Sequence, residues 1–185
     1  TQIFSKKPVV SVCAVRTGCG KSKLTLGLAK IFKKQGKRVV IVRHPMPYGD
    51  LKNQVSQRFE RIEDLKKHHC TIEEREEYEP LIGEGFVVFA GVDYGKILHA
   101  CEKETDIILW DGGNNDFPFL KPNFHIVICD PHRPGHELLY YPGETNLRMA
   151  NLVIINKINT AKKDDVVTVF NNVKSLNPEA KVLFL

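Results

Sequence analysis

The sequence lacks any apolar run that approaches the roughly 20 residues needed by a membrane-spanning helix. Its first ten residues, TQIFSKKPVV, lack the apolar core of a signal peptide. It has only five cysteines, an odd number, and no CxxC pair, which argues against a disulfide framework and against a zinc ribbon. These absences predict a cytoplasmic protein that does not enter a membrane.

The sequence also lacks a strong charge of either sign. Lysine and arginine number 27, aspartate and glutamate 22, and the net charge is +5, well below the dense basic surface of a nucleic-acid-binding domain. We therefore expect no nucleic-acid partner. The charge is uneven, because residues 71–79 (TIEEREEYE) hold five glutamates and one arginine. That segment is typical of a solvated helix face, and a lid or a partner contact is the alternative.

A length of 185 residues predicts one domain that spans 1–185. Short apolar runs rich in β-branched residues are typical of strands buried on both faces. Such runs cover 9–15, 39–42, 86–90, 107–110, 126–129, 152–155 and 182–185. Helical patterns lie between them, from about 24 to 36, 54 to 68, 95 to 103 and 164 to 173. The alternation predicts a three-layer α/β fold, a mostly parallel sheet of about seven strands flanked by helices.

A glycine-rich segment, VRTGCGKS at 15–22, follows the first run and precedes an amphipathic helix, which is the context of a phosphate-binding loop (P-loop). Gly18 and Gly20 let the backbone approach phosphate oxygens, Lys21 reaches the β- and γ-phosphates, and Ser22 offers a hydroxyl to Mg²⁺. Val15 stands where the P-loop pattern has its first glycine. The predicted nucleotide-binding residues here are Thr17, Gly18, Cys19, Gly20, Lys21, Ser22 and Lys23.

Arg16 lies five residues before Lys21. It resembles the second lysine of the P-loops of MinD/ParA-like ATPases, which contacts phosphate, often across a dimer. The resemblance implies that Arg16 stabilises the transferring phosphate and that the protein forms a homodimer. A surface arginine that makes only a loop contact is the alternative.

Two acidic residues follow strands and are candidates for a metal site. Asp111 ends an apolar run and precedes two glycines, so the segment resembles a Walker B strand, and Asp50 follows the second strand. We expect Ser22, Asp111 and Asp50 to hold Mg²⁺, and the catalytic set to be Lys21, Arg16, Asp111 and Asp50. The alternative for Asp111 is a turn residue before glycine.

Residues 156–159, NKIN, resemble the NKxD loop that reads guanine. Asn156 fits the tethering role of that motif, and the stem of Lys157 suits stacking on a base. Asn159 stands where the motif has aspartate, and one amide oxygen cannot accept from both guanine N–H groups without an unfavourable contact. We therefore expect ATP as the nucleotide, with GTP as the alternative. The alternative for the segment itself is an ordinary strand-to-helix turn with no contact to a base.

Three long loops, 43–53, 111–123 and 130–147, follow strands. Open parallel sheets bind ligands at that end of their strands. The loops carry side chains suited to phosphate or carboxylate groups, namely Arg43, His44, Arg133, His136 and Arg148. We expect these residues to bind a small phosphorylated metabolite. A metal site at His132 and His136, or loops that are only structural, are the alternatives.

Several long blocks resemble the cyclic 2,3-diphosphoglycerate synthetase family from about Pro8 onward. These blocks are RHPMPYGDL (43–51), CTIEEREEYEP (70–80), AGVDY (90–94), WDGGNNDFPF (110–119), DPHRPGHE (130–137) and YPGETNLRMAN (141–151). The resemblance implies Mg²⁺- and ATP-dependent closure of a phosphoanhydride in 2,3-diphosphoglycerate, with this chain as the P-loop core of a longer protein. The alternatives are a GTP-hydrolysing switch or metallochaperone, and a nucleotide-sensing module that does not catalyse.

Overall fold

A computed structural model describes residues 2–44, 46, 50–113 and 116–185. The fold is an eight-stranded, mostly parallel sheet with flanking helices, which confirms the α/β class expected from the sequence. The strands are β1 (Val9–Ala14), β2 (Val39–Arg43), β3 (Gln57–Phe59), β4 (Val87–Ala90), β5 (Ile107–Asp111), β6 (Phe124–Cys129), β7 (Leu152–Ile155) and β8 (Lys181–Phe184). The helices are α1 (Lys21–Lys34), α2 (Ile62–Lys67), α3 (Ile72–Gly83), α4 (Tyr94–Cys101), α5 (His136–Leu139), α6 (Gly143–Met149) and α7 (Lys163–Leu176).

The chain forms two compact units. Unit 1 comprises Thr1–Val9, Thr25–Asp111 and Pro118–Lys121, and unit 2 comprises Val10–Leu24, Gly112–Phe117 and Pro122–Leu185. Parts of two of the long loops, Pro45 with residues 47–49 and residues 114–115, lie outside the described residues.

Unit 1 holds strands in the order β3-β4-β2-β5. β2 pairs in parallel with both β4 and β5, and all five of its residues are buried. A strand buried on both faces has no solvent side to supply polar residues, which explains the unbroken apolar run in its sequence. The core of this unit includes Val40, Ile108 and the fully buried Trp110.

The expected helix over 54–68 is wrong in its first half, where the structure has β3 instead. β3 pairs antiparallel with β4, and Phe59 is fully buried, with its ring 5.1 Å from the rings of both His68 and Tyr78. The strand pairing and the burial of Phe59 outweigh the helical spacing of apolar residues, since tertiary packing routinely overrides local propensity. This added strand also accounts for eight strands rather than about seven.

The acidic segment forms α3, which begins with a capping box. The Thr71 hydroxyl accepts from the Glu74 N–H at 3.3 Å, and the Glu74 carboxylate accepts from the Thr71 N–H at 2.9 Å. Glu74 is 2% exposed, and Tyr78 and Leu81 are buried as well. The segment is therefore a helix, as the sequence indicates, but it is not simply a solvated face.

Unit 2 holds strands in the order β1-β6-β7-β8, all parallel. The first residue of α6, Gly143, lies against the backbone of Val15, and a Cβ at Gly143 would stand 2.8 Å from the Val15 carbonyl oxygen. Only glycine permits that approach, so α6 packs directly on the residue that opens the P-loop.

Asn177 joins the end of α6 to the segment before β8. Its amide donates to the carbonyl oxygens of Leu147, Arg148 and Ala150 at 2.9, 3.1 and 3.0 Å, and its own oxygen accepts from the Ala180 N–H at 3.1 Å. The residue is 9% exposed, so water cannot readily replace these bonds.

We expect Asn177→Ala to destabilise the protein by about 2–3 kcal/mol, because several buried carbonyls lose a donor. Asn171→Ala is the matched control, since Asn171 is exposed on α7, the helix that Asn177 caps, and it should shift stability by less than about 0.5 kcal/mol. Urea unfolding measures both. Equal effects of the two substitutions would contradict this account of Asn177.

Candidate nucleotide-binding site

The predicted P-loop connects β1 to α1 within unit 2. β1 ends at Ala14, α1 begins at Lys21, and six residues form the turn between them. Gly18 and Gly20 have φ values of +86° and +104°, in the left-handed region that favours glycine. The strand, the glycine turn and the helix N-terminus therefore occur together, as a phosphate cradle requires.

Asn156 and Lys157, which directly follow β7, hold this turn. The Asn156 amide donates to the Cys19 carbonyl at 2.7 Å, and Lys157 Nζ donates to the Gly18 carbonyl at 2.6 Å. A Cβ on Gly20 would stand 2.4 Å from Asn156 Nδ2, so the contact depends on glycine at that position. The geometry supports the tethering role that the sequence suggests for Asn156.

These two bonds set the direction of the loop amides. A trans peptide is planar, and its carbonyl and N–H point in opposite directions. Because the Gly18 and Cys19 carbonyls point at Lys157 and Asn156, the N–H groups of Cys19 and Gly20 point the other way. Successive N–H groups aimed alike at a helix N-terminus form an anion-binding nest.

Asp130 completes the support of the loop. It lies just after β6, is 7% exposed, and accepts from Lys157 Nζ at 2.5 Å. Its other carboxylate oxygen accepts from the His132 N–H at 3.0 Å, which fixes the carboxylate. Lys157 thus binds a carboxylate and a P-loop carbonyl at once. The sequence predicted stacking of its stem on a base and did not predict this role.

The remaining residue of the base-reading motif, Asn159, is exposed. Its effect on the choice between adenine and guanine stays a prediction.

A small depression at the P-loop brings together residues from two segments that lie more than 100 residues apart. Arg16 Nη1 lies 2.6 Å from His136 Nδ1, and the Arg16 guanidinium carbon lies 5.7 Å from the centre of the Tyr140 ring. The depression is lined by Val15, Arg16, Cys19, Asp130, Arg133 and His136. Burial raises the pKa of the Cys19 thiol to about 11, so that side chain stays neutral at physiological pH.

The other predicted ligands of a substrate or metal are placed differently. Arg148 is exposed on α6 and pairs with Glu144 at 2.5 Å, four residues earlier. His44 is half-buried just after β2. Asp50 is exposed and accepts from the Lys52 N–H at 3.0 Å and from the Asn53 side chain at 2.9 Å, so it shapes a local turn. The roles of these three in binding remain predictions.

In unit 1, Arg43 and Asp111 form a buried charge cluster. Arg43, at the end of β2, and Asp111, at the end of β5, are both about 1–2% exposed and form an ion pair. Arg43 also pairs with Glu77 of α3 at 2.6 Å, and Asp111 accepts from the Thr25 hydroxyl at 3.1 Å. Burial by itself lowers the pKa of Arg43, but the charges of Asp111 and Glu77 outweigh it and the net shift is upward.

This placement argues against the expected contact of Arg43 with substrate. A guanidinium that is 2% exposed and shared by two carboxylates is an internal counter-charge. Glu77 and Thr25 are members of the cluster that sequence reasoning missed. Thr25 lies four residues after Lys21, on the same helix, and that spacing was an available signal. Nothing in the sequence pairs Glu77 with Arg43.

The Asp111 carboxylate does not fit a direct Mg²⁺ ligand as it is held here, because Thr25 engages one oxygen and Arg43 the other. Ser22 fits better, since it is exposed at the second position of α1. Mg²⁺ commonly takes one or two protein oxygens together with phosphate oxygens and water. No cluster of three or more His, Cys, Asp or Glu side chains suited to a metal occurs in the part of the chain that the structure describes.

The strand order, the glycine turn and the helix that follows it define a P-loop NTPase fold. Residues 57–184 match the family described as "Cyclic 2,3-diphosphoglycerate synthetase, P-loop domain". The chain belongs to this family.

Two curated relatives resemble the chain to different degrees. "Arginine synthetase ArcE" of Thermococcus kodakarensis is 61% identical over 183 residues, which is 99% of this chain and 41% of that protein. "Cyclic 2,3-diphosphoglycerate synthetase" of Thermococcus sibiricus is 26% identical over 102 residues, 54% of this chain and 24% of that protein. The chain therefore spans at most about two-fifths of the length of either relative.

Solved structures support the fold alone. LpxK from Aquifex aeolicus in complex with ATP has a TM-score of 0.63 and 20% identity, covering 86% of this chain and 51% of that one. The hydrogenase maturation factor HypB from Archaeoglobus fulgidus has a TM-score of 0.57 and 17% identity, covering 97% and 81%. Among the described residues, no helix has both the length and the apolar character to cross a membrane.

We expect Arg43→Met to destabilise the protein by about 3–5 kcal/mol, since it leaves Asp111 buried without its counter-charge. Arg43→Met with Asp111→Leu removes both charges and should recover much of the loss. Arg38→Met is the control, because Arg38 forms a surface pair with Asp106 and should leave the unfolding midpoint nearly unchanged. Guanidinium unfolding measures all three. A double variant no more stable than Arg43→Met would contradict the pairing.

Proposed function

We propose that this chain is the ATP-binding, phosphoryl-transfer domain of a synthetase. The observation that carries the proposal is that Asn156 and Lys157 bind the P-loop carbonyls, which leaves the Cys19 and Gly20 N–H groups directed away from these two side chains and available to an anion. Binding of the triphosphate at this nest is in keeping with the family of the chain.

Each part of the loop then has a defined task. The Cys19 and Gly20 N–H groups bind phosphate oxygens, and Lys21 neutralises charge on the transferred phosphoryl group. Ser22 would hold Mg²⁺, which supplies charge neutralisation to the phosphates when bound. Arg16, beside the loop, offers a guanidinium fork to the same phosphates. Such catalysis consists mostly of positioning and electrostatic stabilisation.

We expect the chain to bind ATP with Mg²⁺ in calorimetry, and to bind GTP at least about tenfold more weakly because Asn159 replaces the guanine-reading aspartate. Lys21→Ala should weaken ATP binding about 100-fold, since it removes the phosphate-binding ammonium. Lys34→Ala, at the exposed end of the same helix α1, is the control and should bind as the unaltered chain does. Tight GTP binding with ATP excluded would instead favour a GTP-dependent switch.

For the second substrate we propose a precursor of arginine. The relative named for arginine synthesis shares 61% identity over nearly the whole chain, whereas the one named for cyclic 2,3-diphosphoglycerate shares 26% over about half of it. A guanidinium carbon can be made from a ureido group by replacing its oxygen with nitrogen. In that reaction the ureido oxygen attacks the γ-phosphorus of ATP and ADP leaves. Ammonia then adds to the carbon, and inorganic phosphate departs.

The phosphorylated metabolite expected from the sequence is the second candidate. The side chains that favour it are Arg16 and Arg133, two arginines that line one depression beside the P-loop. An intramolecular phosphoanhydride would also begin with attack of an oxygen on the γ-phosphorus, so the two candidates share the chemistry of the ATP site. They differ only in the acceptor.

Product analysis separates the two candidates, using the full-length protein that contains this chain. With ATP, Mg²⁺, ammonia and citrulline, the ureido amino acid with the carbon skeleton of arginine, we expect arginine and one equivalent of ADP and phosphate. With ATP and 2,3-diphosphoglycerate, we expect no new ³¹P resonance. Lys21→Ala should abolish the formation of arginine. Formation of a cyclic diphosphate without arginine would make 2,3-diphosphoglycerate the favoured second substrate.

A further inference from the structure

We infer that His136 is a positioning residue that holds Arg16 in place through Nδ1, and that protonation of His136 releases Arg16. The inference rests on the proposed function, because it concerns how Arg16 is presented to a bound triphosphate. It adds a pH-dependent control of that residue.

The contact itself fixes the chemical state of His136. Arg16 Nη1 lies 2.6 Å from His136 Nδ1, within hydrogen-bonding distance. A guanidinium can only donate, so Nδ1 must be the acceptor. An imidazole that accepts at Nδ1 is neutral and carries its proton on Nε2. The imidazolium form has a hydrogen on both nitrogens and cannot make this bond.

The position of Arg16 depends on this bond and on one aromatic face. Its guanidinium lies 5.7 Å from the centre of the Tyr140 ring, and that ring lies 5.1 Å from the His136 ring at 73°. The two rings, on and directly after α5, together orient the guanidinium of the P-loop residue. Loss of the histidine acceptor leaves Arg16, among the described residues, with the weaker cation–π contact to Tyr140.

Two arginines line the depression beside His136. Around the depression Arg16 and Arg133 are cations, Cys19 is a neutral thiol, and Asp130 is already paired with Lys157. A proton on His136 would therefore add a third positive charge beside two arginines.

The carboxylates described on α5 and α6 already have hydrogen-bond or ion-pair partners. The neighbouring carboxylate, Glu137, is 1% exposed and accepts from the Gly135 N–H at 3.1 Å and from Asn172 of α7 at 2.6 Å. On α6, Glu144 pairs with Arg148. Glu137 keeps its negative charge, since both of its donors are neutral, but it bonds Gly135 and Asn172 and not Arg16. Protonation of His136 therefore breaks the bond to Arg16, because the imidazolium has no acceptor nitrogen.

Where His136 carries a second ring proton we expect Arg16 to leave its position, and where the ring is neutral we expect Arg16 to be held. The pH dependence follows directly: nucleotide binding that uses Arg16 should be strong where His136 is neutral and should weaken as it gains a proton.

The first test reads the tautomer in the free chain by ¹H–¹⁵N NMR of the histidine side chains, and it needs no nucleotide. We expect His136 at about pH 8 to be neutral with its proton on Nε2. A proton on Nδ1 would overturn the inference, whatever the chain binds. This readout therefore stands even if the proposed function fails.

The second test measures the affinity for ATP with Mg²⁺ at about pH 8 and about pH 5.8. Binding by the unaltered chain should weaken roughly tenfold at the lower pH beyond the change seen with His136→Asn. The asparagine oxygen can accept from Arg16 near the Nδ1 position and cannot gain a proton, so this variant keeps the bond and loses the switch. Protonation of ATP itself affects binding to every variant alike, so the difference between variants does not contain it.

Two further variants sharpen the result. Arg16→Gln should weaken binding at both pH values and abolish the extra pH dependence. His132→Asn is the matched control, since the exposed His132 lies on the loop before α5, where its ring bonds Thr160 at 2.8 Å, and it should keep the full pH dependence. The same pH profile for His136→Asn and the unaltered chain would overturn the switch. No ATP binding at either pH would instead overturn the proposed function.

Discussion

The P-loop of this protein depends on a lysine and an asparagine that lie more than 130 residues away along the chain. Asn156 and Lys157 bind the carbonyls of Cys19 and Gly18, and Asp130 holds Lys157 in turn. A glycine-rich turn by itself has many conformations, and ordering it costs entropy. Two side-chain donors that follow β7, one of them held by the carboxylate that follows β6, select one of these conformations before any ligand arrives. Preorganisation of this kind reduces the loss of freedom on binding.

In unit 1, unlike at the P-loop, the main charged cluster is buried. Arg43, Asp111 and Glu77 form ion pairs, and the first two are almost inaccessible to water. Buried ions lose hydration, and the loss is offset only when the partners are close and the remaining oxygens are bonded, as Thr25 does for Asp111. The cluster connects β2, β5 and the acidic helix α3. It gives the acidic segment a structural task that its composition does not reveal.

The comparison with relatives changes which second substrate we favour. It does not change the proposal of an ATP site. The family name points to a phosphorylated metabolite, while the relative with 61% identity carries a name for arginine synthesis. Both reactions begin with attack of an oxygen on the γ-phosphorus, so one P-loop domain can serve either. Under the proposed function, residues beside the loop would select the acceptor, and Arg16, Arg133 and His136 come together there.

The sequence by itself determined the α/β class, the P-loop between β1 and α1, and the tethering residue Asn156, because these follow from local patterns of apolar runs, glycines and short motifs. It did not determine β3, whose pairing with β4 outweighs a helical spacing. Only the tertiary structure decided that Arg43 is an internal counter-charge and that Arg16 meets His136, 120 residues later in the chain. Local patterns encode periodicity and turns, whereas the partner of a charge depends on which strands the fold places side by side.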